Sequence, residues 1–245
     1  MISWKTLRIL CLVLLLIPVV HLVYLVSRDT VATLNSSPDA WAAEMDAYAR
    51  KDRISKLPEN PIVVVGGRRV KLWTGLEDLL APRPVLMRGL GDATVDDLIH
   101  NYTQLIGFYR PHSIVLLPSN SEFHLRANKD ADELVSGIQE LVDLDFKYQS
   151  TRRFYVISPL KTPLYPSDDD TVDEAVSLLQ DWASDTSRIQ ILDINALLKG
   201  GDGEPNPSYF RADGVNLNEH GYVRLSVLLQ SAMEADAGLS GKSPG

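Results

Sequence analysis

Residues 62–73, IVVVGGRRVKLW, decide the fold that the sequence predicts. The four β-branched residues 62–65 are typical of a strand buried on both faces of a parallel sheet. Gly66 and Gly67 allow a tight turn, and the amphipathic continuation predicts a short helix. The first side chain that this turn presents to solvent belongs to Arg68, and a second arginine follows it.

The alternation of apolar runs and helical segments continues to the end of the chain. Helices are predicted over residues 95–109, 130–144, 170–185 and 218–235, and further strands over residues 84–87, 113–117, 153–158 and 189–193. Strands that are each followed by a helix predict an α/β fold of the flavodoxin-like type, a three-layer α/β/α sandwich around a parallel sheet of about five strands. Ligands bind such sheets beyond the carboxyl ends of the strands.

Composition excludes several classes of function. The chain has 245 residues, a net charge of −8 and a pI near 5.1, which disfavours a nucleic-acid partner. The single cysteine, Cys11, excludes an intrachain disulfide. No cofactor and no metal site are predicted, because the acidic run 168–170 reads as the start of a helix and the loop 200–203 lacks the spacing of a calcium loop.

The first 26 residues predict a membrane anchor. Lys5 and Arg8 precede a mostly apolar run over residues 9–26, which is long enough to cross a bilayer as a helix. A small-residue cleavage signal is not found directly after this run, so an uncleaved anchor is favoured over a signal peptide. The leading positive charges place residues 1–8 in the cytoplasm and the main domain in the periplasm or outside the cell, on a single-pass inner (cytoplasmic) membrane protein.

Residues 27–58 are predicted to be a polar spacer and a juxtamembrane helix. Ser37 followed by Pro38 is a helix start, and Trp41, Met45 and Tyr48 share one apolar face. We expect this face to pack on the main domain, which is predicted over residues 59–236. Residues 237–245 are predicted to be a disordered tail.

Four segments at the predicted strand ends resemble the sequence blocks of the SGNH (GDSL-type) hydrolases, a resemblance that covers most of residues 60–230. Their order and spacing agree with that family. The segments are Gly66-Gly67-Arg68-Arg69, Arg88-Gly89-Leu90-Gly91-Asp92, Pro118-Ser119-Asn120-Ser121 and Phe210 to Tyr222.

The resemblance implies a role for individual positions. The nucleophilic serine of the family is replaced here by Arg68, and the histidine that serves as general base is replaced by Asn216. The family's catalytic aspartate is retained as Asp213, and an asparagine that donates to the oxyanion is retained as Asn120. The glycine whose backbone N–H is the other oxyanion donor is replaced by Asp92 or, if the loop is shifted by one residue, retained as Gly91.

These replacements argue against ester hydrolysis. Arginine stays protonated and is neither a nucleophile nor a base, and an asparagine amide does not take up a proton near neutral pH. A carboxylate beside the oxyanion would repel the charge that develops there. We expect Arg68 and Asp92 to form a bidentate ion pair that fills the pocket, or Arg68 to anchor an anionic ligand beside a helix N-terminus.

The sequence therefore predicts a membrane-anchored protein with this fold that binds a small molecule, an acylated or anionic glycan, or an envelope protein. The alternative is an active ester hydrolase or acyl-transfer enzyme with displaced groups. His220 and His124 are candidate bases for that alternative. Ser119 and Ser121 are its candidate nucleophiles. His220 is also a candidate ligand contact, as are Arg68, Asn120 and Gly91. A third hypothesis is a structural subunit that contacts partners through the face formed by residues 41–48.

Overall fold

The computed structural model describes residues 4–34, 37–124, 126–148 and 151–240, although some side chains of the first helix and of residues 238–240 lie outside the description. The helices are α1 (Trp4–Leu34), α2 (Ala42–Ile54), α3 (Arg68–Leu72), α4 (Leu76–Leu79), α5 (Val95–His100), α6 (Tyr102–Leu105), α7 (Ala131–Tyr148), α8 (Asp169–Ala183), α9 (Asn195–Leu198) and α10 (Glu219–Ser240). The strands are β1 (Ile62–Gly66), β2 (Val85–Gly89), β3 (Ser113–Leu117), β4 (Arg153–Ile157) and β5 (Ile189–Leu192). Short 3₁₀ helices are Pro38–Trp41, Gly107–Tyr109, Asn120–Glu122, Pro166–Asp168 and Pro207–Tyr209.

The five strands form one parallel sheet in the order β2-β1-β3-β4-β5. The predicted α/β class and strand number are therefore confirmed, and each strand lies within one or two residues of its predicted bounds. In the register of the sheet, Gly66 at the end of β1 lies between Gly89 of β2 and Leu117 of β3. The loops that follow these three neighbouring strands consequently leave the sheet side by side, at its carboxyl edge.

Helices cover both faces of the sheet, as the predicted three layers require. Val63 and Val65 belong to a core shared with α2, α5, α6, α7 and α8, whereas Ile62 and Val64 belong to a core shared with α3, α4, α9 and α10. Successive residues of a strand point to opposite faces, so the continuous apolar run of β1 supplies both cores.

The single helix predicted over residues 95–109 is wrong in detail. The structure has α5, α6 and a 3₁₀ helix there instead. Asn101 ends α5 by donating from its side chain to the carbonyl oxygen of Asp97 at 2.9 Å, and Arg110 closes the segment in a left-handed conformation with φ 47°. Asparagine side chains compete with the backbone hydrogen bonds of a helix in this way. Asn101 is thus a signal for a helix end, but the apolar spacing continues across it and predicts one helix.

The tail predicted from residue 237 also needs correction. Helix α10 continues through residues 237–240 and ends at Ser240, and the rest of the predicted tail, residues 241–245, lies outside the described residues.

Helix α2 and the 3₁₀ turn before it pack on the main domain, as expected. Ser37 caps the turn by accepting the N–H of Asp39, and Trp41 and Met45 are buried in the first core. The hydroxyl of Tyr48 donates to the carbonyl oxygen of Gly89 at 2.7 Å. The proposed partner-binding face of residues 41–48 is therefore occupied within the chain, which removes the observation behind the third hypothesis.

Helix α1 spans the predicted anchor of residues 9–26, and its described apolar side chains, such as Leu12, Ile17 and Val20, are exposed. Within the part of the chain that was described, no helix meets the length and apolarity that a membrane span needs. Several side chains of the segment, including that of Cys11, lie outside the described residues. The anchor stays a prediction.

Candidate functional site

The turn between β1 and α3 places Arg68 at the carboxyl edge of the sheet. Gly66 has φ +150°, and a Cβ atom there would lie 2.2 Å from the carbonyl oxygen of Leu117, so the strand ends at a position that only glycine fits. Gly67 is the N-cap residue and Arg68 begins α3. The structure thus puts a guanidinium at the end of β1, where the sequence resemblance predicts the replaced nucleophile.

Arg68 forms the bidentate ion pair that the sequence predicts. Its Nε and Nη2 donate to Oδ1 and Oδ2 of Asp92 at 3.0 and 2.9 Å. The Arg68 side chain is 50% exposed and that of Asp92 is 18% exposed, so the pair lies at the rim. Both residues border a cavity, so the pair does not fill the pocket completely.

Asp213 and Asn216 are held together by a tight loop. Phe210 and Leu217 form an antiparallel bridge at its base, and Asp213 Oδ2 accepts a hydrogen bond from Asn216 Nδ2 at 2.8 Å. Asp213 Oδ1 accepts the backbone N–H groups of Val215 and Asn216, both at 2.9 Å. Burial would raise the pKa of the Asp213 carboxyl, but these hydrogen bonds outweigh burial and lower it. Asp213 therefore stays ionised, and its partner is an amide that cannot carry a proton.

The loop after β3 supplies Asn120 and two serines. Asn120 begins a 3₁₀ helix, and Ser119 caps that helix by accepting the N–H of Ser121 at 3.2 Å. The Ser119 hydroxyl also donates to that of Ser121 at 3.1 Å. Among the described contacts, neither hydroxyl is hydrogen-bonded to a histidine.

The two candidate histidines lie in different places. His124 borders the same cavity as Ser119, and its Nε2 is 2.5 Å from Asp168 Oδ2. Its ring contacts that of Tyr165 at a centroid distance of 4.2 Å and an interplanar angle of 31°. His220 is not brought to this cavity: it is exposed on the first turn of α10 and borders a separate shallow depression. The loop before α10 separates it from Asn216, so the sequence spacing of four does not represent one helical turn.

Gly91 was a candidate ligand contact, but a carboxylate of the chain itself occupies its backbone N–H. Glu44 of α2 accepts that N–H at 3.1 Å and also accepts from Lys71 Nζ at 3.0 Å. Trp41 covers the same glycine so closely that a Cβ atom on Gly91 would lie 2.1 Å from its ring. Gly91 does not border the cavity described below, whereas Asp92 does.

Arg69 is the residue that the sequence reasoning missed. Its side chain is only 3% exposed and it borders the cavity. Nη2 donates to the carbonyl oxygen of Val215 at 2.8 Å, whereas Nε and Nη1 have no hydrogen-bond partner among the described residues. Burial lowers the pKa of Arg69 to about 10, against weaker opposing effects of Tyr222, Asp213 and Asp92. The signal in the sequence that could have identified Arg69 is that it directly follows Arg68 in the same motif.

These side chains enclose a cavity of about 190 Å³ at the carboxyl edge of the sheet. It is bordered by residues of four loops and of α3: Arg68, Arg69, Asp92, Ser119, Asn120, Ser121, His124, Leu164, Tyr165, Asp213, Val215 and Asn216. We refer to it as the cleft. No grouping of three or more histidine, cysteine, aspartate or glutamate side chains suited to a metal ion occurs in the described part of the chain.

Comparison with known proteins identifies the fold. No protein-family model and no curated protein sequence matches the chain. A GDSL-like lipase from Bacteroides thetaiotaomicron is 18% identical with a TM-score of 0.65, over 79% of this chain and 98% of that chain. The lipase/acylhydrolase from Enterococcus faecalis is 14% identical with a TM-score of 0.59, over 72% and 96%. An acetylxylan esterase from Geobacillus stearothermophilus is 16% identical with a TM-score of 0.55, over 71% and 94%.

At such low identity the likeness concerns the fold alone. The chain therefore has the SGNH hydrolase-like fold of the GDSL-type lipases and acylhydrolases.

Proposed function

We propose that this protein is a membrane-anchored, extracytoplasmic SGNH hydrolase-like protein that lacks conventional serine esterase activity and binds an anionic ligand in its cleft. The observation that carries the first part is the position of Arg68. It occupies the nucleophile's place at the end of β1 and is fixed there by two hydrogen bonds to Asp92.

The other catalytic requirements argue the same way. Acyl transfer needs a base beside the nucleophile, and Asn216 binds Asp213 where an imidazole would be needed. One backbone donor expected at the oxyanion, the N–H of Gly91, already bonds to Glu44. Losing one such donor costs an esterase about 3–4 kcal/mol of transition-state stabilisation. Nucleophile, base and oxyanion donor are thus altered together.

Arg69 supports the second part of the proposal. A buried guanidinium with two nitrogen atoms that lack acceptors is costly, and an anion in the cleft would offset part of the cost of its charge. Asn120 borders the same cavity and adds a neutral amide. The cleft is small, so we propose that it takes the carboxylate of a ligand, such as that of an anionic glycan, rather than a whole sugar chain.

The proposed anchoring rests on the first helix. Its apolar run over residues 9–26 follows Lys5 and Arg8, and the apolar side chains described along α1 are exposed and need a nonpolar environment. This orientation would put the cleft on the periplasmic or extracellular side.

A second function has one observation in its favour. His124 is paired with Asp168 and borders the same cavity as Ser119 and Ser121. An Asp–His pair therefore shares a cavity with two hydroxyl groups. An acyl-transfer enzyme with displaced groups would need one of these serines to reach the imidazole. Their hydrogen bonds to each other and to the local backbone argue against it.

Two measurements on the full chain in detergent test the proposal. Hydrolysis of p-nitrophenyl acetate should stay at the buffer rate, and a fluorophosphonate probe should label no serine. Probe attachment at Ser119 or Ser121 that is lost in His124→Ala would establish the second function instead.

Ligand binding is tested separately by titration with glucuronate, and glucose serves as the uncharged control ligand. We expect glucuronate to bind, glucose not to bind, and Arg69→Met to abolish the difference, whereas Arg68→Met should retain it. Equal binding of the two sugars, or unchanged glucuronate binding by Arg69→Met, would contradict an anion site at Arg69.

A further inference from the structure

A second and larger cavity lies at the opposite edge of the sheet from the cleft. Its volume is about 710 Å³, and it is bordered by the first residues of three strands, Ile62, Ser113 and Arg153. A strand of five residues separates the two edges by roughly 16 Å. The two cavities are therefore distinct, and we refer to this one as the amino-edge cavity.

Arginines dominate the charge of the amino-edge cavity. Arg83, Arg152, Arg153 and Arg188 border it, and of the described residues that line it only Asp236 carries a carboxylate. This concentration of positive charge is unexpected in a chain with a net charge of −8.

Two of the four arginines have structural partners. Arg153 pairs with Asp236, which also accepts a hydrogen bond from the Tyr155 hydroxyl at 2.7 Å. Arg188 donates to the carbonyl oxygen of Thr151 and stacks over the ring of Phe146, 3.6 Å from its centroid. The carboxyl end of α7 lies nearby and favours a cation, which accounts for Arg188 without any ligand.

Arg83 and Arg152 are not accounted for in this way. Neither side chain makes a hydrogen bond or an ion pair among the described residues, and Arg83 lies in the loop between α4 and β2. Both act on His112, which borders the same cavity. Burial first, and then Arg152 and Arg83, lower the pKa of this histidine. Both guanidinium groups therefore add positive charge to the cavity that they and His112 border.

The lining also has an apolar part, and the size of the cavity suits a small molecule. Binding sites for small molecules are typically about 300–1,000 Å³, a range that includes this cavity. The apolar part of the lining consists of Ile62, Pro84, Met233, Ala237 and the ring of Tyr155. A ligand that fits both parts has an anionic group for the arginines and a carbon-rich portion for this surface.

We propose that the amino-edge cavity binds an organic phosphate monoester, with Arg83 and Arg152 as its phosphate contacts. A monoester carries a charge of about −1.5 to −2 at neutral pH, which matches the two guanidinium groups that have no described protein partner, since Asp236 binds Arg153 and the Thr151 carbonyl oxygen binds Arg188. Guanidinium groups also bind phosphate oxygens in a planar, bidentate manner. A soluble sugar or aryl phosphate and the headgroup of a phosphatidate lipid share this chemistry.

The test uses the full chain in dodecyl maltoside and calorimetric titration with phenyl phosphate. We expect binding, with inorganic phosphate and benzoate both weaker, since the first lacks the apolar portion and the second carries one charge. The double variant Arg83→Gln/Arg152→Gln should weaken phenyl phosphate binding by about tenfold or more. Both side chains are at least partly exposed and without described partners, so the variant should fold like the parent.

The matched control removes the same charge elsewhere. Arg50→Gln/Arg53→Gln changes two exposed arginines of α2 and should leave the affinity for phenyl phosphate unchanged. If phenyl phosphate does not bind, or if control and test variants lose affinity equally, the proposal is overturned. Dioleoyl phosphatidate added to the micelles distinguishes the two sources: displacement of phenyl phosphate identifies a lipid headgroup as a ligand, and absence of displacement leaves soluble phosphates. Neither outcome depends on the cleft.

Discussion

Replacing Arg69 by methionine is expected to make the protein more stable while removing its anion site. Burial lowers the pKa of Arg69 from the usual value of an arginine to about 10. One pKa unit corresponds to about 1.4 kcal/mol, so keeping this guanidinium charged inside the protein costs about 3 kcal/mol near neutral pH. Methionine has a similar length and no charge, and it removes this cost.

The variant also loses the hydrogen bond from Arg69 to the Val215 carbonyl oxygen, which stabilises the folded state by about 2 kcal/mol because the donor is charged. The net expectation is a gain of about 1 kcal/mol in the free energy of unfolding, or roughly 2–4 °C in Tm for a chain of this size. The gain should shrink as the pH rises through about 10, because the folded parent then loses the proton that its unfolded state retains.

Urea unfolding of the full chain in detergent, followed by tryptophan fluorescence, measures the effect. Arg68→Met is the matched control, since its half-exposed ion pair with Asp92 contributes only about 0–1 kcal/mol. If Arg69 were a structural plug, Arg69→Met would destabilise the protein by more than about 1 kcal/mol and leave glucuronate titrations unchanged. That pair of results would refute the reasoning.

Three further predictions concern the frame around the cleft. Asp52→Asn leaves Arg88, which is 3% exposed, without its carboxylate, and should lower the free energy of unfolding in urea by about 3 kcal/mol. Gly66→Ala forces a Cβ atom against the neighbouring strand and should cost about 3 kcal/mol in the same assay. Asn216→Ala removes a hydrogen bond to Asp213, so the pKa of that carboxyl should rise towards its ordinary value in an NMR titration. The matched controls for the first two are Asp46→Asn and Gly201→Ala.

The fold could be predicted because its signals are local and redundant. Each strand is a short apolar run next to a helix-forming segment, and the run of β1 is buried on both faces, as its composition requires. The segment after β2 was less predictable because apolar spacing continues through it. There a single side-chain hydrogen bond from Asn101 ends one helix and the next begins at once. The periodicity of apolar residues alone does not predict where one helix ends and the next begins.

The cleft was predictable in part. The pairing of Arg68 with Asp92 followed from charge and from the positions of two strand ends, and the structure contains it. The position of Glu44 was not predictable, because it depends on how α2 packs across the loop after β2. His220 lies outside the cleft although it follows Asn216 by only four residues, because α10 begins only at Glu219 and the two residues do not share a helix.

The motif itself could not show which of its two arginines enters the protein. Adjacent residues on a helix point about 100° apart, so one of the two faces the rim and the other faces the interior. Arg68, at the rim, has its charge balanced by Asp92, whereas Arg69, inside, keeps two nitrogen atoms without acceptors. If the cleft were simply closed, neutralising the inner charge would matter more than neutralising the outer one, because an unpaired charge costs most where water is excluded. In this protein the outer charge is neutralised and the inner charge is not. We therefore infer that an anion from outside the chain completes the site.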